Sequence, residues 1–150
     1  MSSIQKVIDS AEAHCQSRGT RLTEKRKRVL SGLIDSGKAL SAYELIDYCK
    51  NEYNEKLPAM SVYRILDFLQ EEHLVHKLEL ANKYVACSHI TCNHAHEVPQ
   101  FLICNSCNQV KEIAIKSSLV DSLKLNIEVA DYQLLSTQIE LNCLCQNCAA

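Results

Sequence analysis

Through the first half of the chain, apolar residues return every three or four positions, the period of helices packed on one side. Past Leu74 they gather into short strand-like runs. The first helical stretch runs roughly from Ile4 to Arg18 and stops before Gly19. Thr23 stands where a cap belongs for a second helix, whose Val29, Leu30, Leu33 and Ile34 share one face and whose stop is Gly37. "SAYE", Ser41 to Glu44, is a capping box that opens a third helix. After Pro58 comes "SVYRILDFLQEEH", with Val62, Ile65, Leu66 and Leu69 at i, i+3, i+4 and i+7, an amphipathic fourth helix.

"LVHKLEL" and "KYVAC" then flank Ala81-Asn82, a candidate two-residue hairpin turn. Such a turn pairs Leu80 with Lys83 and therefore His76 directly with Cys87. Helices followed by a hairpin is the order of a winged helix. Beyond Cys87 the composition shifts to His and Cys, and "FLIC" and "QVKEI" read as strands around a C-x2-C knuckle. Ser118 with Asp121 resembles a capping box for a helix reaching about Val129, and Leu135, Thr137, Ile139 and Leu141 alternate as a strand into the last cysteines. The expected class is α+β, with a winged helix over 1–83, a second α/β domain over 84–150 and a hinge near 82–88.

Composition narrows the chemistry. A chain of 150 residues suffices for one domain with a sizeable core or for two small ones. Its opening "MSSIQKVIDS" lacks the basic start and apolar run of a signal peptide, and no stretch approaches a membrane span, so an intracellular, cytoplasmic protein is expected. Nine cysteines are an odd number, and four fall in C-x2-C pairs, which favours metal ligation over a disulfide scaffold. The formal net charge of −2 hides a basic run, "RGTRLTEKRKR", from Arg18 to Arg28. Such a patch binds phosphates even on an acidic chain.

The strongest chemical signal is "CNSC" (Cys104, Cys107) with "CQNC" (Cys145, Cys148), each after a strand-like run. Two such turns complete the four-sulfur shell that structural zinc prefers. His76 and Cys87, sharing a hairpin face, offer an imidazole and a thiolate to a second ion. A third ligand would come from His89, Cys92, His94 or His96, and a carboxylate such as Glu112 would be a fourth. Ser61, Tyr63 and Arg64 lie off the apolar stripe at the start of the fourth helix, where a recognition helix meets base edges. Tyr43 joins them as a DNA-contact candidate, and Lys25, Arg26 and Arg28 are candidates for phosphate. Cys15 and Cys49, among apolar neighbours in helices, read as small core residues. A zinc hydrolase or deaminase is suggested by "HAHE" ahead of a C-x2-C pair. That signature needs H-x-E and P-C-x2-C, whereas Glu97 is three residues after His94 and Pro99 is separated from Cys104. No enzyme is therefore expected.

"RLTEKRKRVL", "SAYEL", "SVYRILDFLQEEHLVHKLE", "FLICNSCNQVKE" and the closing "CQNC" resemble the ferric uptake regulator (Fur) family of bacterial metal-responsive repressors across almost the whole chain. Within it the sequence is most similar to the zinc uptake regulator (Zur) branch, because "LVHKLELANKYVAC" supplies His76 and Cys87. The His-His-Asp-His run of iron-sensing members is absent. The resemblance implies two Zn2+ per chain, a structural one on Cys104, Cys107, Cys145 and Cys148 and a regulatory one on His76, Cys87, His96 and Glu112. His94 is an alternative for the histidine position. Cys92 and Cys143 are extra to the pattern. The resemblance also implies a homodimer through the C-terminal domain, an AT-rich palindromic DNA operator and repression of zinc-uptake genes. Sensing of another metal or of peroxide is the rival within the family.

Overall fold

Cap chemistry starts and stops two of the helices of the computed structural model, which describes residues 3–88, 90–91 and 99–150. Helix α1 spans Ser3–Ser17 and α2 Glu24–Ser36. The Thr23 hydroxyl accepts the N–H of Arg26 at 3.4 Å at the start of α2, and Gly37 closes it at φ 67°. Helix α3, Ala42–Tyr53, opens on a complete capping box. The Glu44 N–H donates to Ser41 Oγ at 3.2 Å, and the Ser41 N–H donates to Glu44 Oε1 at 3.0 Å. Helix α4, Ala59–Glu71, follows Pro58, whose missing N–H costs nothing at a helix start. The expected apolar stripe on α4 is the buried one: Val62, Leu66 and Leu69 are fully enclosed and Ile65 nearly so. Burial of each is worth about 1.5–3 kcal/mol. Cys15 and Cys49 are core residues packed with Leu30 and Leu45, as their apolar neighbours foretold.

The chain divides into two compact units, Met1–Asn93 and His94–Ala150. In the first, the four helices are followed by the hairpin β1 (Val75–Leu78) and β2 (Lys83–Ala86). Leu40 and Tyr84 exchange backbone hydrogen bonds of 3.0 and 2.8 Å, so the segment ahead of α3 adds a third rung to the wing. The expected hairpin register is corrected. Leu78 pairs with Lys83 and His76 with Val85, across a four-residue turn at 79–82. A two-residue type I′ turn needs positive φ at both central positions. Asn82 supplies one, at 51°, but Ala81 does not, and the loop widens.

The junction between α4 and β1 holds a buried carboxylate. Glu72 takes a 2.8 Å ion pair from Arg18 Nε, and its backbone oxygen bonds to His14 Nε2 at 2.9 Å, which ties α1 to the end of α4. His73 then turns the chain at φ 60°, and the Leu74 N–H donates to the Leu69 oxygen at 2.9 Å, the geometry in which helices usually end on glycine. His73→Gly is accordingly expected to raise stability by about 1 kcal/mol, since a side chain in left-handed backbone carries a steric penalty. The urea midpoint reads this, and a midpoint that falls or stays put contradicts it.

In the second unit, β3 (Pro99–Cys104) lies between β4 (Val110–Ala114), antiparallel, and β5 (Ile139–Cys143), parallel. Parallel neighbours need a crossover, which α5 (Ser117–Val129) provides. A short α6 (Gln146–Ala149) ends the chain. The core here is small, centred on Phe101, Ile103, Ile115 and Val120. Two expectations are corrected. Helix α5 is preceded by Lys116 with no side-chain cap, so Ser118 lies inside its first turn, where its carbonyl accepts the Ser122 hydroxyl at 3.0 Å. Strand β5 begins only at Ile139, because Gln100 of β3 pairs there, and Leu135 is left 94% exposed.

Candidate metal centres and nucleic-acid face

The knuckle between β3 and β4 forms because Asn108 accepts left-handed backbone at φ 63°. Its N–H returns to the Cys104 oxygen at 2.9 Å, and the Cys104 N–H bonds to Gln109 O, also at 2.9 Å. Parallel pairing sets Cys104 beside Cys143, and the Asn105 N–H donates to Cys143 O at 3.0 Å. That brings the start of α6, with Cys145 and Cys148, against the knuckle. The four sulfurs of Cys104, Cys107, Cys145 and Cys148 lie within 4.8 Å of one another, and Cys107 Sγ is 3.8 Å from Cys145 Sγ. Metal–sulfur bonds of about 2.3 Å in a tetrahedron separate sulfurs by about 3.8 Å. The donor set therefore fits a four-coordinate metal ion.

Electrostatics in the cluster agree. Backbone N–H groups of Cys107 and Cys145 bring the Cys104 thiol down to about 6, with the Cys145 N–H 3.4 Å from its sulfur. The Ser106 hydroxyl pulls Cys148 the same way, yet the neighbouring Cys145 and Cys104 sulfurs push it up to about 12. One thiolate is favoured and further ones repel it, which is the conflict that a divalent cation relieves.

His76 and Cys87 meet in the hairpin, although not as direct partners. With Val85 opposite His76, Cys87 is the diagonal neighbour on the same face, and the two-residue slip from the expected register preserves the face. Their ligand atoms lie within 4.8 Å, with Cys87 buried and His76 half-buried. Glu112 is a half-buried residue of β4 opposite Phe101. His89, Cys92, His94 and His96 lie outside the described residues.

On the first unit, Tyr43, Tyr63 and Arg64 are exposed at the starts of α3 and α4, while Ser61 is half-buried. The basic run is less uniform than its charge. The Arg26 guanidinium stacks 3.7 Å from the centre of the Phe68 ring and donates from Nη1 to Arg21 O at 2.6 Å. Arg28 pairs with Glu55 at 3.1 Å and lies 5.2 Å from the Tyr53 ring centre. Lys27 bridges to Glu12 at 3.0 Å and Glu24 at 3.4 Å. Lys25 projects into solvent. Met60 is also exposed on α4, an apolar residue off the helix's apolar stripe.

Comparison with known proteins places these features in a family. The chain is 35% identical over 144 residues to the zinc uptake regulation protein of Escherichia coli (strain K12), covering 96% of this chain and 82% of that one. A solved structure of a zinc uptake regulator complexed with zinc and DNA superposes with a TM-score of 0.85 at 30% identity, covering 99% of this chain and 97% of that one. The crystal structure of holo XcZur follows with a TM-score of 0.79 at 36% identity, covering 95% and 96%. The ferric uptake regulator family model matches residues 17–142. This chain belongs to the ferric uptake regulator family, whose members are metal-responsive transcription regulators and not enzymes.

Proposed function

We propose that the protein is a zinc-responsive repressor that binds an AT-rich palindromic operator as a zinc-loaded homodimer in the bacterial cytoplasm and restrains zinc-uptake genes. The observation that carries the zinc reading is the convergence of His76 and Cys87 on one face of the wing. A thiolate beside an imidazole selects zinc over the harder Fe2+ and Mn2+. The family resemblance supplies Glu112 and His96, or His94, as further ligands. When bound, zinc supplies the charge that lets the cysteines stay ionised. His76 and Cys87 would tie β1 to β2, and Cys104, Cys107, Cys145 and Cys148 would tie β3 to α6. No helix among the described residues is long and apolar enough to cross a membrane.

Dimerisation through the second unit is supported by the apolar surface that α5 and its sequel expose, Leu119, Leu125, Val129 and Tyr132 among them. For DNA, the first turns of α4 would enter the major groove with Arg64 toward a guanine and Tyr63, Ser61 and Tyr43 alongside. Lys25 would meet phosphate, while Arg26 and Arg28 brace the helices as well as adding positive potential. Fluorescence anisotropy with an AT-rich duplex, with zinc and with chelator, tests the whole reading; affinity indifferent to zinc rejects it.

The two kinds of contact should also separate by mutation. Arg64→Ala is expected to lose about 1–3 kcal/mol of discrimination between selected and random duplex. Lys25→Ala should weaken both alike and shallow the salt dependence by about one unit. Equal loss on both duplexes for Arg64→Ala contradicts a base contact.

A further inference from the structure

The exposed face of α4 carries a residue that the metal and DNA assignments leave unused. At 100° per residue, the buried Val62, Ile65, Leu66 and Leu69 gather on one side of the helix. Met60 lies opposite their centre, flanked by Tyr63 and Arg64 and followed by Asp67 and Glu71. Met60 is 67% exposed and Tyr63 40%. Charge is unevenly distributed along this face, with Arg64 in the first two turns and Asp67 and Glu71 in the last ones. Phosphates repel the acidic end, while the positive end of the helix dipole attracts them. The helix would therefore meet DNA by its N-terminal turns, with Met60 ahead of Arg64 at the groove.

We infer that Met60 is a specificity-determining residue that packs against the 5-methyl group of a thymine, a role that rests on the DNA-binding reading above. In the major groove, base pairs differ by hydrogen-bond donors and acceptors except for one apolar feature, the thymine methyl. A thioether has no hydrogen to donate, and three rotatable bonds let it follow that methyl. A probe that removes only the methyl is decisive. Burial of one such group is worth about fourfold in affinity.

The full-length, zinc-loaded protein is first used to enrich duplexes from a randomised library. Each thymine of the enriched duplex is then replaced singly by deoxyuridine, and anisotropy titrations compare the wild type with Met60→Ala. The expected result is a thymine in each half-site where deoxyuridine weakens the wild type about fourfold and leaves Met60→Ala unaffected. Because Met60 lies on the surface, the variant keeps its fold and the double comparison isolates the contact. Equal penalties in both proteins at every thymine, or no penalty at all, overturn the Met60 assignment and leave the DNA reading intact. If no duplex is enriched, the DNA reading fails and the role of Met60 falls with it.

Discussion

Cys104→Ser or Cys148→Ser is expected to strip the chain of the zinc proposed for the four-sulfur site and to leave a monomeric or aggregated protein. Among its described residues the second unit encloses few large side chains, chiefly Phe101, Ile103, Ile115 and Val120, so little apolar burial holds β3, β5 and α6 together. The sulfur cluster joins the end of β3 to α6 across 41 positions of sequence, as the bond from the Cys145 N–H to Cys104 Sγ illustrates. Structural zinc bound by such ligands contributes about 10–16 kcal/mol of apparent free energy, which is also folding free energy. Few small units survive that loss. Zinc content by metal analysis and mass by sedimentation measure the outcome. A serine variant with full zinc content and an intact dimer would sink the assignment.

His76→Ala and Cys87→Ser should act differently, leaving one zinc per chain and a folded dimer that has lost zinc-dependent operator binding. The hairpin carrying these residues is held by backbone pairing and by Leu74, Val75, Leu78 and Tyr84 in the first unit's core, so its fold does not depend on a metal. A site mixing thiolate with imidazole and carboxylate also holds zinc less tightly than four thiolates, and empties first. If zinc acts through this site, coupling is reciprocal: zinc affinity must rise with operator present by the factor by which zinc improves DNA binding, about 5- to 150-fold in typical cases. Competition with a chelator, with and without operator, measures both arms. Identical zinc affinity in the two titrations means that this site is not the sensor.

Much of this protein could be read from sequence because the responsible physics is local. Thr23, Ser41 and Glu44 cap helices within three residues of themselves, and Val62, Ile65, Leu66 and Leu69 declare a buried face by spacing alone. The C-x2-C pairs likewise announce a metal site, because each needs only its own tight turn to aim two sulfurs at one point.

What sequence could not decide depended on partners far along the chain or on the strain of a single residue. Ala81 declined positive φ, and the hairpin took a longer turn; the shared face of His76 and Cys87 survived only because the slip was by two residues. Leu135 alternated like a strand residue yet lies ahead of β5, which begins where Ile139 meets Gln100 of β3, and it is left exposed. The basic run read as uniform, but Arg26 found Phe68 and Arg28 found Glu55, leaving Lys25 in solvent. Glu72 is ordinary in sequence and buried in the fold, paired with an arginine 54 positions away. The caps at Thr23 and Ser41, the apolar stripe of α4 and the knuckles were thus determined by sequence, because their interactions close within a few residues. Register, charge pairing and which helix face stays open were decided by tertiary packing, because their energies arise only when distant segments meet.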